Sequence, residues 1–590
     1  MKNKLLIYQI FTRLFGNTQS HCIPWGTKEQ NGVGKFDDIS TTALESIKNL
    51  GVTHIWYTGV LHHALIGDYT AQGISNDHPD VVKGRAGSPY AIRDYYNVNP
   101  DLANNPDKRL DEFRELIKRT HDCGLKVIID IVPNHVARNY KSISKKQGII
   151  DFGQEDNSYF EYMRNNDFYY IPGKQYQNPD WIDGYSPLGG NTEANLKPYH
   201  EYPAKWTGNG SREAKPHPHD WYETVKINYG IRPDGSKDFP ILPESYRNLD
   251  HTEHCKFWEN RDLPSSWKKW FQIADFWLSL GVDGFRYDMA ELVPVEFWSY
   301  LNSNIKNKKP DSLLIAEVYQ PDQFDNYIQL GKMDLLYDKV DMYDTLKGII
   351  QNQKSCNDIF PVTERYYNYS DRLLHFLENH DEQRIASPEF AGDPFLALPA
   401  MVLSTTIDKG AVLIYFGQET GEKATDNPGF GSASRTSIFD YTSVPSHQRW
   451  MNFGKFDGGL LEENEKDLRQ YYSQLMNFVL NSEALTGPFY DLHRHNAWNT
   501  KNYPGNKIYS FARWSGNEKL LVLCNFDQNI RASFQFSIYS GLIELWELQT
   551  GKFAFKNLFD DRVSFLVVEQ DRAYIDITID PLESLILQIQ

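Results

Sequence analysis

Four short polar clusters stand out because each follows an apolar run: Asp130-Ile-Val-Pro-Asn134-His135, Gly284-Phe285-Arg286-Tyr287-Asp288, Ala316-Glu317-Val318 and Glu378-Asn379-His380-Asp381. Among them are the carboxylates Asp288, Glu317 and Asp381, with an arginine and two histidines. Such a set suits acetal chemistry. Cleaving a glycosidic bond needs a proton on the departing oxygen and an anion beside an oxocarbenium-like centre, so one carboxyl must be ionised and another protonated. Arg286 precedes Asp288 by two residues, which on an extended strand puts both side chains on one face, where a cation favours ionised Asp288. Glu317 follows an apolar run and is expected near a second anion; both effects raise its pKa, as an acid catalyst requires. A single carboxylate after a strand is ordinarily a cap or a salt-bridge partner, but four clusters at four strand ends make a site.

The elements that must position these groups alternate. Strand-like runs fall at Leu5–Ile10, Thr53–Tyr57, Lys126–Ile131, Val282–Tyr287, Leu313–Val318, Met333–Tyr337, Leu373–Leu377 and Val412–Phe416. Amphipathic helical stretches lie between them, among them Ala43–Leu50, Leu110–Cys123, Trp267–Leu280, Pro294–Asn304 and Phe395–Thr406. Eight such βα units close naturally into a (β/α)8 TIM barrel, whose reactive side chains protrude at the C-terminal strand ends. The connection from Val136 to His251 far exceeds an ordinary βα loop and predicts a subdomain inserted after the third strand. From Leu485 onward the helical period gives way to short runs (Lys507–Trp514, Lys519–Asn525, Ala532–Ser537, Leu542–Leu548, Tyr574–Ile579, Ser584–Gln588), which predict a C-terminal antiparallel β-sandwich. The expected organisation is a barrel over 1–135 and 252–484, the inserted subdomain over 136–251 and the sandwich over 485–590.

Placed on those strand ends, the four clusters resemble the four conserved regions of the α-amylase superfamily, glycoside hydrolase family 13. Gly51-Val-Thr-His-Ile-Trp56, Asp94-Tyr-Tyr-Asn-Val-Asn-Pro100 and Tyr415-Phe-Gly-Gln-Glu419 are similar to its supporting motifs. The resemblance runs from Tyr8 through the barrel. It implies Asp288 as nucleophile forming a covalent glycosyl–enzyme, Glu317 as general acid and then base, and Asp381 as the residue that holds hydroxyls of the reacting sugar. It further implies Arg286 bonded to the nucleophile, His135 and His380 against the same ring, Tyr90 as its platform, Asp130 as a structural partner of Arg286 and Asn134 as a loop-fixing residue. The expected substrate is an α-1,4-glucan or maltooligosaccharide. Two departures matter: Met289-Ala290-Glu291-Leu292 lacks the Lys-His common after the nucleophile, and Gly87-Ser88-Pro89 precedes Tyr90 where His-Gly is common. The first leaves two matters open, transfer to a sugar hydroxyl, as in a maltosyltransferase, and a structural calcium, for which Asn134, Asp151 or Asp183 could supply oxygens. The chemistry itself needs no cofactor. A non-catalytic carbohydrate-binding relative is the third possibility, although such proteins typically lose the carboxylates retained here.

Composition bounds the partners. A net charge of −17 opposes nucleic acid and anionic membranes. Five widely spaced cysteines without a CxxC pair are no disulfide framework, and with no secretory h-region before Leu5 they predict a cytoplasmic enzyme. The aromatic fraction of 14% fits either sugar platforms or an aromatic-rich core. The pairs His251/His254 and His217/His219 have short metal-like spacing but no third ligand, and are expected to be loop histidines of the insert.

Overall fold

The computed structural model describes residues 4–182, 184–192, 196–570 and 572–590. Eight parallel strands close into a barrel: Leu6–Phe11, His54–Thr58, Lys126–Ile131, Gly284–Tyr287, Leu313–Ala316, Leu335–Tyr337, Leu373–His375 and Ala411–Tyr415. They match the eight expected runs to within a residue or two, and neighbours in sequence are neighbours in the barrel, the first strand pairing with both the second and the eighth. Register does the positioning. Arg286 pairs with Asp130 of the third strand and Ile315 of the fifth, so an arginine and an aspartate enter the barrel interior side by side. The alternate residue Tyr287 turns outward and donates its hydroxyl to Asn302 of the helix Val295–Lys308, 2.8 Å away.

The helix Ser265–Ser279 buries Trp267, Trp270, Ile273, Ala274, Trp277 and Leu278, the spacing of one helical face. Two of its indoles also donate to backbone carbonyls, Trp267 to Tyr229 (3.1 Å) and Trp277 to Tyr95 (2.9 Å), so their N–H groups are satisfied inside the core. Truncating such an indole to Ala ordinarily costs about 3–5 kcal/mol. Trp56, Trp258, Trp267, Trp270, Trp277, Trp298 and Trp450 are fully buried, so half of the fourteen tryptophans build the core rather than a sugar surface.

The insert after the third strand is mostly loop, tied by two small antiparallel ladders, His135–Ala137 with Thr224–Lys226 and Tyr170–Ile171 with Ala204–Lys205. His251 and His254 are not loop histidines: they open the helix His251–Glu259, and His254 is buried against Ser299 and the Tyr246 carbonyl. The helix was hidden because its N-cap, Asp250, follows a long irregular stretch with no apolar period.

The C-terminal region is one continuous eight-stranded antiparallel sheet wrapped around its own core. Its strand Glu518–Asn525 is buried on both faces: Leu520, Val522 and Cys524 join the barrel core, while Leu521 and Leu523 face the sheet's own core. That double burial explains the unbroken apolar run Leu-Leu-Val-Leu-Cys. Two expectations fail here. Leu542–Leu548 is not a strand; Ser540–Leu545 is a short helix. His493–Asn499 is also helical, while the strands Phe489–Asp491, Gly551–Asn557 and Val563–Val568 complete the sheet. All five cysteines are free. Among the described residues no helix is long and apolar enough to cross a membrane.

Candidate active site

Arg286 is the hub. It is fully buried on the fourth strand, and its guanidinium faces the rings of Trp56, Tyr90 and Tyr337 at 5.4, 5.4 and 5.5 Å. Burying a cation so deeply is costly unless anions and acceptors surround it. Nη1 donates to Asp288 Oδ1 at 2.8 Å and lies 3.5 Å from Asp130 Oδ1; Nε donates to the Tyr337 hydroxyl at 3.1 Å. Nη2 stands 2.8 Å from Glu317 Oε2, an ion-pair distance, although its N–H bonds point away from that oxygen. Asp288 and Glu317, from adjacent strands, thus meet across one guanidinium at the same end of the barrel.

Arg286 favours ionised Asp288, as its place two residues earlier on the strand predicts, but burial and then the neighbouring Glu317 outweigh it and raise the Asp288 pKa. The two Nη ends lie beside two carboxylates at once, so the cation is shared. Glu317, 3% exposed, also accepts the Met289 N–H at 2.8 Å and the Tyr319 hydroxyl at 2.6 Å. The Met289–Leu292 segment therefore grips the Glu317 strand three times, since the Ala290 N–H also donates to the Glu317 carbonyl at 3.1 Å and Glu291 Oε2 accepts the Tyr319 N–H at 2.9 Å. Trp298 fixes that segment by donating to the Ala290 carbonyl, 2.9 Å.

Asp381 is bound to the hub through His380. His380 Nε2 contacts Asp381 Oδ2 at 2.9 Å and, more closely, the Tyr90 hydroxyl; its Nδ1 faces the Gln9 amide at 2.8 Å. Burial works to raise the Asp381 pKa, but His380 and Arg286 outweigh it and hold the group below the usual range. Tyr90 stacks on His380 with centroids 5.3 Å apart. Asp130 takes its shorter bond from Trp56 Nε1, 3.0 Å, and only a long one from Arg286. His135 opens the ladder into the insert, with its ring 5.1 Å from Trp221; burial, then Lys226 and Lys83, push its pKa down to about 3, so it is neutral. All nine residues singled out in the sequence occupy this region. Gln9, Met289, Tyr319 and Tyr337 are additions; only the strand-end position of Tyr337 and the placement of Tyr319 two residues after Glu317 signalled them.

Of the residues considered for calcium, Asn134 and Asp151 each already face a lysine. Asn134 Oδ1 accepts the Lys226 ammonium, which also reaches the Leu292 carbonyl at 3.3 Å, and Asn134 Nδ2 donates to Gly208 O at 2.9 Å. Asp151 Oδ2 is held by Lys145 at 2.9 Å and by the Ser142 N–H at 3.1 Å. Asp183 lies outside the described residues, among which no group of three or more His, Cys, Asp or Glu is gathered as for a metal.

Residues 9–449 match the family model of the α-amylase catalytic domain, and 498–590 that of the α-amylase C-terminal all-β domain. The α-amylase of Streptomyces lividans is 25% identical over 440 residues, covering 68% of this chain and 42% of its own. The α-amylase MalA of Haloarcula japonica is 24% identical over 541 residues, 88% of this chain and 55% of its own. The chain thus spans about half the length of these curated relatives. In fold it is similar to the maltogenic α-amylase AmyB of Thermotoga neapolitana (TM-score 0.59, 19% identity, 99% of this chain and 98% of that one).

Proposed function

The chain belongs to the α-amylase family, and from that premise we propose that it cleaves α-1,4-glucosidic bonds in starch-like glucans or maltooligosaccharides with retention of configuration. One observation carries this most: Asp288 and Glu317 flank a single guanidinium at adjoining strand ends, with Asp381 beside them. Asp288 attacks the anomeric carbon as the bond to the departing oxygen breaks, and Glu317 gives that oxygen its proton. Water then yields a proton to ionised Glu317, its oxygen bonds to the anomeric carbon and the Asp288 ester bond breaks. Two inversions give retention. Asp381, His380, His135 and Tyr90 are assigned to the ring and hydroxyls of the sugar. Proton NMR of maltooligosaccharide digestion is expected to show the α-anomer first; initial β-anomer overturns the proposal. Products longer than the substrate would shift it to transfer, which shares the first step.

We also propose that neither chemistry nor stability needs calcium, because the Lys226 ammonium already neutralises the Asn134 oxygen and bridges the insert to the segment after Asp288. Prolonged chelation followed by gel filtration is expected to leave Tm and hydrolysis rate unchanged. A fall in Tm that added calcium reverses would contradict this.

A further inference from the structure

We infer that the site takes its glycan end first, non-reducing end leading, into a pocket closed by an aromatic wall that three separate loops build. This rests on the proposed glucan cleavage and specifies its substrate. The wall is a chain of ring contacts. Tyr222 and Trp181 of the insert lie 5.2 Å apart, Trp181 meets Tyr185 at 4.9 Å, and Tyr185 meets Trp25, from the segment after the first strand, at 6.0 Å. Tyr185 and Trp25 both contact Phe430, at 5.6 and 6.2 Å, and Phe430 meets Phe439, at 4.9 Å; both phenylalanines belong to the long connection after the eighth strand. Most contacts are edge-to-face, 66° between Trp181 and Tyr185 and 88° between Trp25 and Phe430, so neighbouring rings lock one another in place.

The wall is built, not incidental. Trp25 has a φ of 60°, unusual for a bulky residue, and is held by its N–H on the Pro428 carbonyl (3.0 Å) and by Arg85 on its own carbonyl. Two glycines from different loops make room for it. A Cβ on Gly189 would lie 2.7 Å from the indole, and one on Gly429 would lie 2.6 Å from the Trp25 nitrogen. The wall also adjoins the site. Arg85 lies in the segment that carries Tyr90, where the Ala86 N–H bonds the Phe439 carbonyl at 3.1 Å; Trp221, next to Tyr222, packs on His135.

Its side is set by the barrel. The loops that build and hold the wall follow strands eight, one, two and three, which are contiguous around the barrel. Asp288 and Glu317 lie on strands four and five. The departing group must be on the Glu317 side, because that carboxyl protonates it. Hence the wall stands behind the sugar that Asp288 captures, and little chain can extend past it.

The test compares maltoheptaose with the same oligosaccharide carrying a 4,6-O-ethylidene group on its non-reducing glucose, with cleavage followed by mass spectrometry. The blocked substrate is expected to react on the order of a hundredfold more slowly, the size of rejection a close-fitting pocket gives. Trp25→Gly, which suits the positive φ, and the more peripheral Tyr185→Ala are each expected to raise the blocked-to-free rate ratio by about tenfold or more. Equal rates on both substrates overturn end-first entry but leave glucan cleavage standing. Cleavage of neither overturns both. A ratio unmoved in a folded Tyr185→Ala protein overturns the assignment of the wall.

Discussion

Replacing Asp288 with Asn is expected to lower kcat by about 10⁵–10⁶, the scale on which an enzyme loses a covalent nucleophile. The amide keeps the size of the carboxyl and can still face Arg286 through its oxygen, so the loss should be chemical rather than a failure to fold. Asp130 and Glu317 continue to balance the guanidinium at 3.5 and 2.8 Å. The diagnostic is covalent. Incubated with a 5-fluoro-α-glucosyl fluoride, the parent protein should gain the mass of one sugar on the peptide containing Asp288, and the variant none. Labelling of a different carboxylate, or an Asn variant within tenfold of the parent rate, would remove Asp288 from its assigned role.

Glu317→Gln should behave differently, and the difference separates the two carboxyls. With maltooligosaccharides, whose leaving hydroxyl needs a proton, the rate is expected to fall by about 10³–10⁴, the usual worth of a positioned acid. With α-glucosyl fluoride the first step should survive, because fluoride departs with far less assistance. The glycosyl–enzyme then accumulates, for want of a base to activate water, and added azide should release it as the α-glucosyl azide. Gln can still accept from the Met289 N–H, so the Tyr319 loop should remain in place. Equal losses on both substrates, with no rescue by azide, would mean that Glu317 is not the acid and base.

Much of this was legible in the residues because the barrel converts strand order into position. Short β-branched runs located all eight strands, and once the polar clusters fell at their ends, Arg286 and Asp130 were bound to meet, being register neighbours. What escaped was set by contacts that leave no periodic trace. Lys226 was one lysine in a polar insert until its ladder with His135–Ala137 carried it to Asn134. The sharing of Arg286 between two carboxylates depends on side-chain reach, which spacing along one strand does not reveal. Leu542–Leu548 is apolar enough to read as a strand, and a six-residue helix is too short to show its own period. Trp25, at a backbone angle that its residue type disfavours, drew no notice, since the glycines that admit it lie more than a hundred and sixty residues away.

Around Arg286 the count of charges is lopsided: one guanidinium faces Asp130, Asp288 and Glu317 directly, with Asp381 just beyond through His380. Asp288 answers by binding hydrogen ion far more tightly than a free aspartate. A proton held there occupies the oxygen that has to attack the anomeric carbon, so a bound sugar reacts only once Asp288 is ionised. Acidity should then slow formation of the sugar ester on Asp288.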